Sequence, residues 1–185
     1  MFSRASHRTD LLHVFTFQFN YLCSLRGTRH SAILPCHMAQ PRKSKIRELA
    51  MQILFLWDTQ NNSDPAMARQ VLADATDDES LREAALEMAN AAWEYRQTAD
   101  RWIERVAPQW PPHRQPAVDR NVLRMAVWEL VNTSTPPKVV IDEAIELAKH
   151  FSTEQSASFV NGVMDAILKE HRALTSAAPL TDPAA

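Results

Sequence analysis

An all-α fold is predicted for this chain, with about seven helices joined by short loops. Apolar positions keep helical spacing through the middle of the sequence, and no segment reads convincingly as a strand. Proline-dense stretches separate the periodic segments, which suits helices with sharp stops. Only two glycines occur in 185 residues. That scarcity argues against a run of tight β-hairpins, and equally against a P-loop or a Rossmann phosphate loop.

Each helix can be justified in order. After Pro41, the residues Ile46, Leu49, Ala50, Ile53, Leu54 and Trp57 form one helical stripe. Asn61-Asn62-Ser63 ends it. Asp64 is the expected N-cap of a short helix over residues 66–73, with Pro65 at its first position. Thr76-Asp77-Asp78-Glu79 opens a longer helix whose apolar face carries Leu81, Ala84, Ala85, Met88, Ala92 and Tyr95. The acids at its start suit the helix dipole. Around Thr98 the pattern renews through Trp102, Ile103 and Val106, which is counted as a separate helix. Trp110-Pro111-Pro112-His113-Arg114-Gln115-Pro116 is a loop. A helix over 118–132 follows, striped by Val122, Leu123, Ala126, Val127 and Leu130. Thr133 to Pro137 breaks it. The last two helices are expected at 139–151 and 154–172, with Ser152 and Thr153 as caps between them.

The ends differ from the middle. Residues 1–37 hold both cysteines, four of seven histidines and four of seven phenylalanines, with Arg4, Arg8, Arg26 and Arg29 against the single acid Asp10. They are expected to be a disordered leader or a stretch upstream of the true start at Met38. Intact mass of the native protein distinguishes the two. Polar residues interrupt the apolar stretch of this leader, so a secretory signal does not fit. A transit peptide is a minor option. Cys23 and Cys36 show no C-x-x-C spacing, and His30, Cys36 and His37 make a metal set only on paper. Residues 38–174 are expected to form one helical domain, and 175–185, rich in Ala, Pro, Ser and Thr, a disordered tail. No apolar run approaches a membrane span.

The sequence offers no catalytic signature: no H-E-x-x-H, no G-x-S-x-G, and no spaced Cys/His cluster outside the leader. No cofactor or metal is implied. His113, His150 and His171 are isolated. Asp142, Glu143 and Glu146 read as acids well placed for a helix dipole rather than as an acid–base set. Arg124 lies at the edge of an apolar face and needs a partner, for which Glu143 is the expected residue. The informative charges are Arg42, Lys43, Lys45 and Arg47. They crowd a helix start, where cations oppose the macrodipole, within a chain of net charge −2. Phosphate is the natural counterpart, since Lys and Arg neutralising a backbone supply most of the affinity for nucleic acid. A solvated arm is the bland alternative. Phe55 is expected in the core, while Phe159 could pack or stack on an unpaired base.

Three blocks occur in order over residues 42–170: R-K-S-K-I-R-E-L-A-M-Q-I-L-F, then D-R-N-V-L-R-M-A-V-W-E-L, then V-V-I-D-E-A-I-E-L-A-K-H-F followed by S-F-V-N-G-V-M-D. Together they resemble the transcription antitermination factor NusB family. The resemblance implies an all-helical fold of two small packed bundles. It implies binding of the single-stranded boxA element in ribosomal RNA transcripts, together with the ribosomal protein NusE. It implies loading onto the transcription elongation complex in the cytoplasm to suppress premature termination. The family includes monomers and dimers, so a homodimer is one expectation.

The resemblance places Lys43 and Arg47 on family RNA-contacting positions, with Arg42 and Lys45 beside them. It places Phe151, Gln155, Phe159 and Asn161 on or near the second part of the RNA surface, and Asp119 on an acidic position facing NusE. Gly162 is expected to be a close-packing position between helices. Ser44 stands where arginine is often found, Ser158 where lysine is, and Ser152 where glycine is. Those departures motivate a second expectation, a NusB-fold adaptor that keeps its protein partner and has lost boxA recognition. A third is an RNA methyltransferase component, because NusB-like domains also occur fused to such catalytic domains; it would need a second chain.

Overall fold

A computed structural model describes residues 42–177. These form α1 (Arg42–Gln60), α2 (Pro65–Ala75), α3 (Glu79–Val106), α4 (Ala117–Asn132), α5 (Pro137–Phe151) and α6 (Glu154–Ala177), with a 3-10 turn at Pro112–Arg114 before α4. Among the described residues there is no strand. The expectations for the leader, including His30, Cys36 and His37, lie outside the described residues, as does the tail from residue 178. Thr175 to Ala177 belong to α6, so the helix runs past the point where the tail was expected to begin.

The two segments expected on either side of Thr98 are one helix, the 28-residue α3. The cause is the phase of its apolar stripe. Ala85, Ala89, Ala92, Ala99 and Ile103 are all buried, and their spacing carries one face past Thr98 without a break. Neither Gly nor Pro interrupts it.

Loop chemistry sets the helix ends. Asn61 sits at φ 50, in the left-handed region that Asn tolerates. The Asn62 and Asn61 amides donate to the Trp57 and Asp58 carbonyls at 3.1 and 3.4 Å, a Schellman closure of α1. Asp64 caps α2 by accepting from the Ala66 amide at 2.9 Å, with Pro65 in the first turn as expected. Asp78 caps α3 by accepting from the Leu81 amide at 3.2 Å. Thr153 accepts from the Ser156 amide at 3.1 Å and starts α6. Ser152 takes φ −132, so the joint does not require glycine there.

Packing follows from burial. α1, α2 and α3 form one small bundle and α4, α5 and α6 a second, with α4 packed against both α1 and α3. Its residues Asn121 to Val127 are consecutively buried, as suits a helix covered on most sides. The core joins Leu49, Leu54 and Trp57 of α1 to Ile103, Leu123, Met164 and Ile167. The Trp57 and Trp93 rings meet edge to face at 5.8 Å.

Arg124 does not meet Glu143. It donates to Asp100 from Nε and Nη2 at 2.8 and 2.7 Å, and to Asp58 Oδ1 from Nη1 at 2.7 Å. Arg120 also grips Asp58, and donates to the carbonyls of Pro112 and Gln115 at 2.9 and 3.1 Å. One acid at the end of α1 thereby holds α4, and α4 holds the proline loop. Sequence order pointed to α5 for the partner of Arg124, but its face of α4 looks toward α1 and α3.

Candidate nucleic-acid interface

The first turn of α1 contains no acid, and Arg42 and Lys43 are exposed there. Arg42 forms an open ion pair with Asp78 at 3.4 Å and a hydrogen bond to Ser80, which tie the start of α1 to the start of α3. At 57% and 42% side-chain exposure the ion pair contributes about 0–1 kcal/mol. Lys45 pairs with Glu48 at 2.9 Å within the helix. Lys43 has no hydrogen-bond or ion-pair partner among the described residues. It is the cation of this cluster left to face an incoming anion.

Arg47, expected on this surface, is buried. It is 3% exposed and donates to Glu129 from Nε at 2.9 Å and Nη2 at 2.6 Å, with Glu143 Oε2 3.5 Å from Nη1. Burial works against its charge, but the Glu129 hydrogen bonds and the charges of Glu129 and Glu143 outweigh that and raise its pKa further. The helical stripe turns this position toward α4, so it braces the site from behind. Ser44 donates to Glu143 Oε1 at 2.7 Å, a neutral tie to α5.

A cavity of about 290 Å³ opens between α1 and α5, lined by Ser44, Glu48, Glu143, Glu146, Leu147, His150 and Phe151. Phe151 is half-buried, and His150 meets it edge to face at 4.4 Å between centroids. The α1 start and the α5 end thus share one concavity. Beyond the joint, Gln155 and Ser158 are exposed and Phe159 is half-buried, all on one face of α6. Asn161 is exposed, but lies about 120° around the helix from Gln155. Gly162, expected in a close contact, is exposed, and a Cβ added there would meet nothing within 4 Å.

Asp119, expected to face a partner, is 3% exposed. Its Oδ2 accepts from Ser156 Oγ at 2.8 Å, while Oδ1 has no partner among the described residues. Ser156 Oγ also lies 2.9 Å from the hydroxyls of both Ser152 and Thr153. This hydroxyl cluster fixes the α5–α6 joint against α4.

The NusB family model matches residues 44–169. The chain belongs to the NusB family. A transcription antitermination protein NusB from Solibacter usitatus is 40% identical over 135 residues, spanning 72% of this chain and 91% of the relative. One from Symbiobacterium thermophilum is 38% identical over 136 residues, spanning 69% and 89%. Among solved structures, T. maritima NusB matches with TM-score 0.61 at 36% identity, covering 72% of this chain and 94% of that one. A crystal structure of antitermination factors NusB and NusE in complex with dsRNA matches with TM-score 0.63 at 27% identity, covering 70% and 97%.

Within this NusB-family fold the expected residues divide into three groups. Arg42, Lys43 and Lys45 lie at the start of α1, and Phe151 lines the cavity that Ser44 of that turn shares with the end of α5. Gln155, Phe159 and Asn161 lie on α6, and no hydrogen bond or ion pair joins them to α1 among the described residues. Arg47 and Asp119 are internal braces. Sequence reasoning missed Glu143 and His150 as members of the site. Asp142 and Glu146, expected as acids well placed for a helix dipole, lie beyond the first turn of α5, which holds no acid, and pair with Lys138 and Lys149 at 2.9 and 2.7 Å. Among the described residues no helix is long and apolar enough to cross a membrane.

Proposed function

We propose that this NusB-family chain binds boxA-type single-stranded RNA in ribosomal RNA transcripts together with NusE, and acts on the transcription elongation complex to suppress premature termination. The observation that carries the reading is the unpartnered, exposed Lys43 in an acid-free first turn, flanked by Arg42 and Lys45. Cations there are unfavourable for the helix alone and favourable once a phosphate backbone is present. The family and the RNA-bound NusB–NusE structure support it. On this reading the protein works in the cytoplasm, beside the transcription machinery.

The test is binding of a boxA RNA by the full chain, alone and with NusE, across a salt series. Affinity is expected to fall steeply with salt. Lys43→Ala is expected to weaken binding and lower the salt slope by about one, with helicity unchanged. A salt-independent affinity that Lys43→Ala leaves untouched would overturn the RNA reading.

A second reading keeps the protein partner without boxA recognition. The burial of Arg47 and the neutral Ser44 and Ser158 favour it, because they thin the basic footprint. It predicts NusE binding with no gain from added RNA.

A further inference from the structure

A second cavity, of about 310 Å³, opens on the neighbouring face of α1, between α1, α3 and α4. Its volume lies at the lower end of the small-ligand range of about 300–1,000 Å³. Ile46, Ala84, Met88 and Ala91 supply apolar walls, and Trp128 an aromatic one. At the back, Arg47 and Glu129 satisfy each other. Thr133 and Thr135 line it too, their hydroxyls 3.1 Å apart. Lys43, Glu87 and Trp128 complete the lining, and no hydrogen bond or ion pair joins their side chains to another described residue. A cation, a carboxylate and an indole thus border an apolar slot.

The chemistry of those groups selects an occupant. A phosphate inside would meet the Glu87 carboxylate and apolar walls. An aliphatic side chain would match the walls but offer nothing to Lys43 or Glu87. A nucleobase has an apolar face and a polar edge, and matches both. Its face can lie against the Met88 thioether and the Trp128 ring. An exocyclic amino group can donate to Glu87, as amino groups of bases do to carboxylates. A ring nitrogen or carbonyl can accept from Trp128, and Lys43 meets the adjoining phosphate.

Resting on the RNA-binding reading above, we propose that this cavity holds one unstacked base bearing an exocyclic amino group, from the strand whose backbone passes Lys43. The test uses the full chain and a short boxA-type single strand, compared with copies in which one abasic site is walked along the sequence. One position is expected to cost the wild type about tenfold in affinity when abasic, as loss of a base–aromatic contact does. Ala91→Leu, which fills the slot, should lose that tenfold on the intact strand and match the wild type on the strand abasic at that position. Glu87→Ala, an exposed change, should abolish the preference for a base with an amino group over one without it at the same position.

Equal weakening of the intact and every abasic strand by Ala91→Leu would overturn the proposal. So would unchanged RNA affinity with weakened NusE binding, which would assign the cavity to a protein side chain. If Ala91→Leu fails to fold, a base preference that Glu87→Ala leaves intact overturns it alone. Failure of the wild type to bind any of these strands sinks the RNA-binding reading itself, and is separable because it requires no variant.

Discussion

Arg47 and Glu129 form a buried fork, Nε to Oε2 at 2.9 Å and Nη2 to Oε1 at 2.6 Å, with side chains 3% and 4% exposed. The pair fastens α1 to α4, and Glu143 adds α5. Removing the cation strands a buried carboxylate. Arg47→Ala is expected to lose about 3–5 kcal/mol in urea unfolding. Arg47→Lys should recover only part of it, because an ammonium cannot reproduce the fork. A cost below 1 kcal/mol, equal to that of an exposed pair, would contradict the assignment.

Asp58 predicts an acid limit. Burial pushes its pKa up, but hydrogen bonds and charge from Arg120 and Arg124 outweigh that and hold it below the usual carboxylate range. A lowered folded pKa means stability that is complete above the unfolded value of about 3.9, and is lost as pH falls from there through the folded value. Thermal melts should therefore be flat in this respect near neutrality and fall below about pH 4. Asp58→Asn should flatten part of that acid slope while lowering stability at pH 7.

Gly162 lies in α6 with open space where a Cβ would stand. Gly162→Ala is expected to stabilise by about 0.5–1 kcal/mol, through helix propensity alone. A melting temperature that drops instead would restore the close-packing expectation.

Asp119 and Ser156 should behave as a coupled pair across α4 and α6. Asp119→Ala is expected to cost about 1.5 kcal/mol, as a hydrogen bond to a charged group does. In a double-mutant cycle with Ser156→Ala the losses should be clearly less than additive. Strict additivity would mean the contact contributes nothing.

The helices were legible because apolar spacing and capping chemistry are local. Asp64, Asp78 and Thr153 announce their helices within a few residues. The break expected at Thr98 shows the limit of local reading: the stripe continues, but only the burial of Ala99 and Ile103 against the rest of the fold reveals it. Of the site, the exposed cations Arg42 and Lys43 and the half-buried Lys45 could be found from charge placement. Arg47 could not be told from them, because residues on one helix turn share a sequence neighbourhood but face different surroundings.

The sequence by itself determined that the chain is all-α, where most helices start and stop, and its family blocks. Those are properties of neighbours along the chain, where propensity, caps and periodicity act. Only the tertiary structure decided which charges meet. Arg124 took Asp58 and Asp100, Arg47 took Glu129 and Glu143, and Lys43 was left over at the mouth of a cavity. Pairing depends on which faces of separate helices are pressed together. That is set by packing of the whole core, in which no single segment carries the answer.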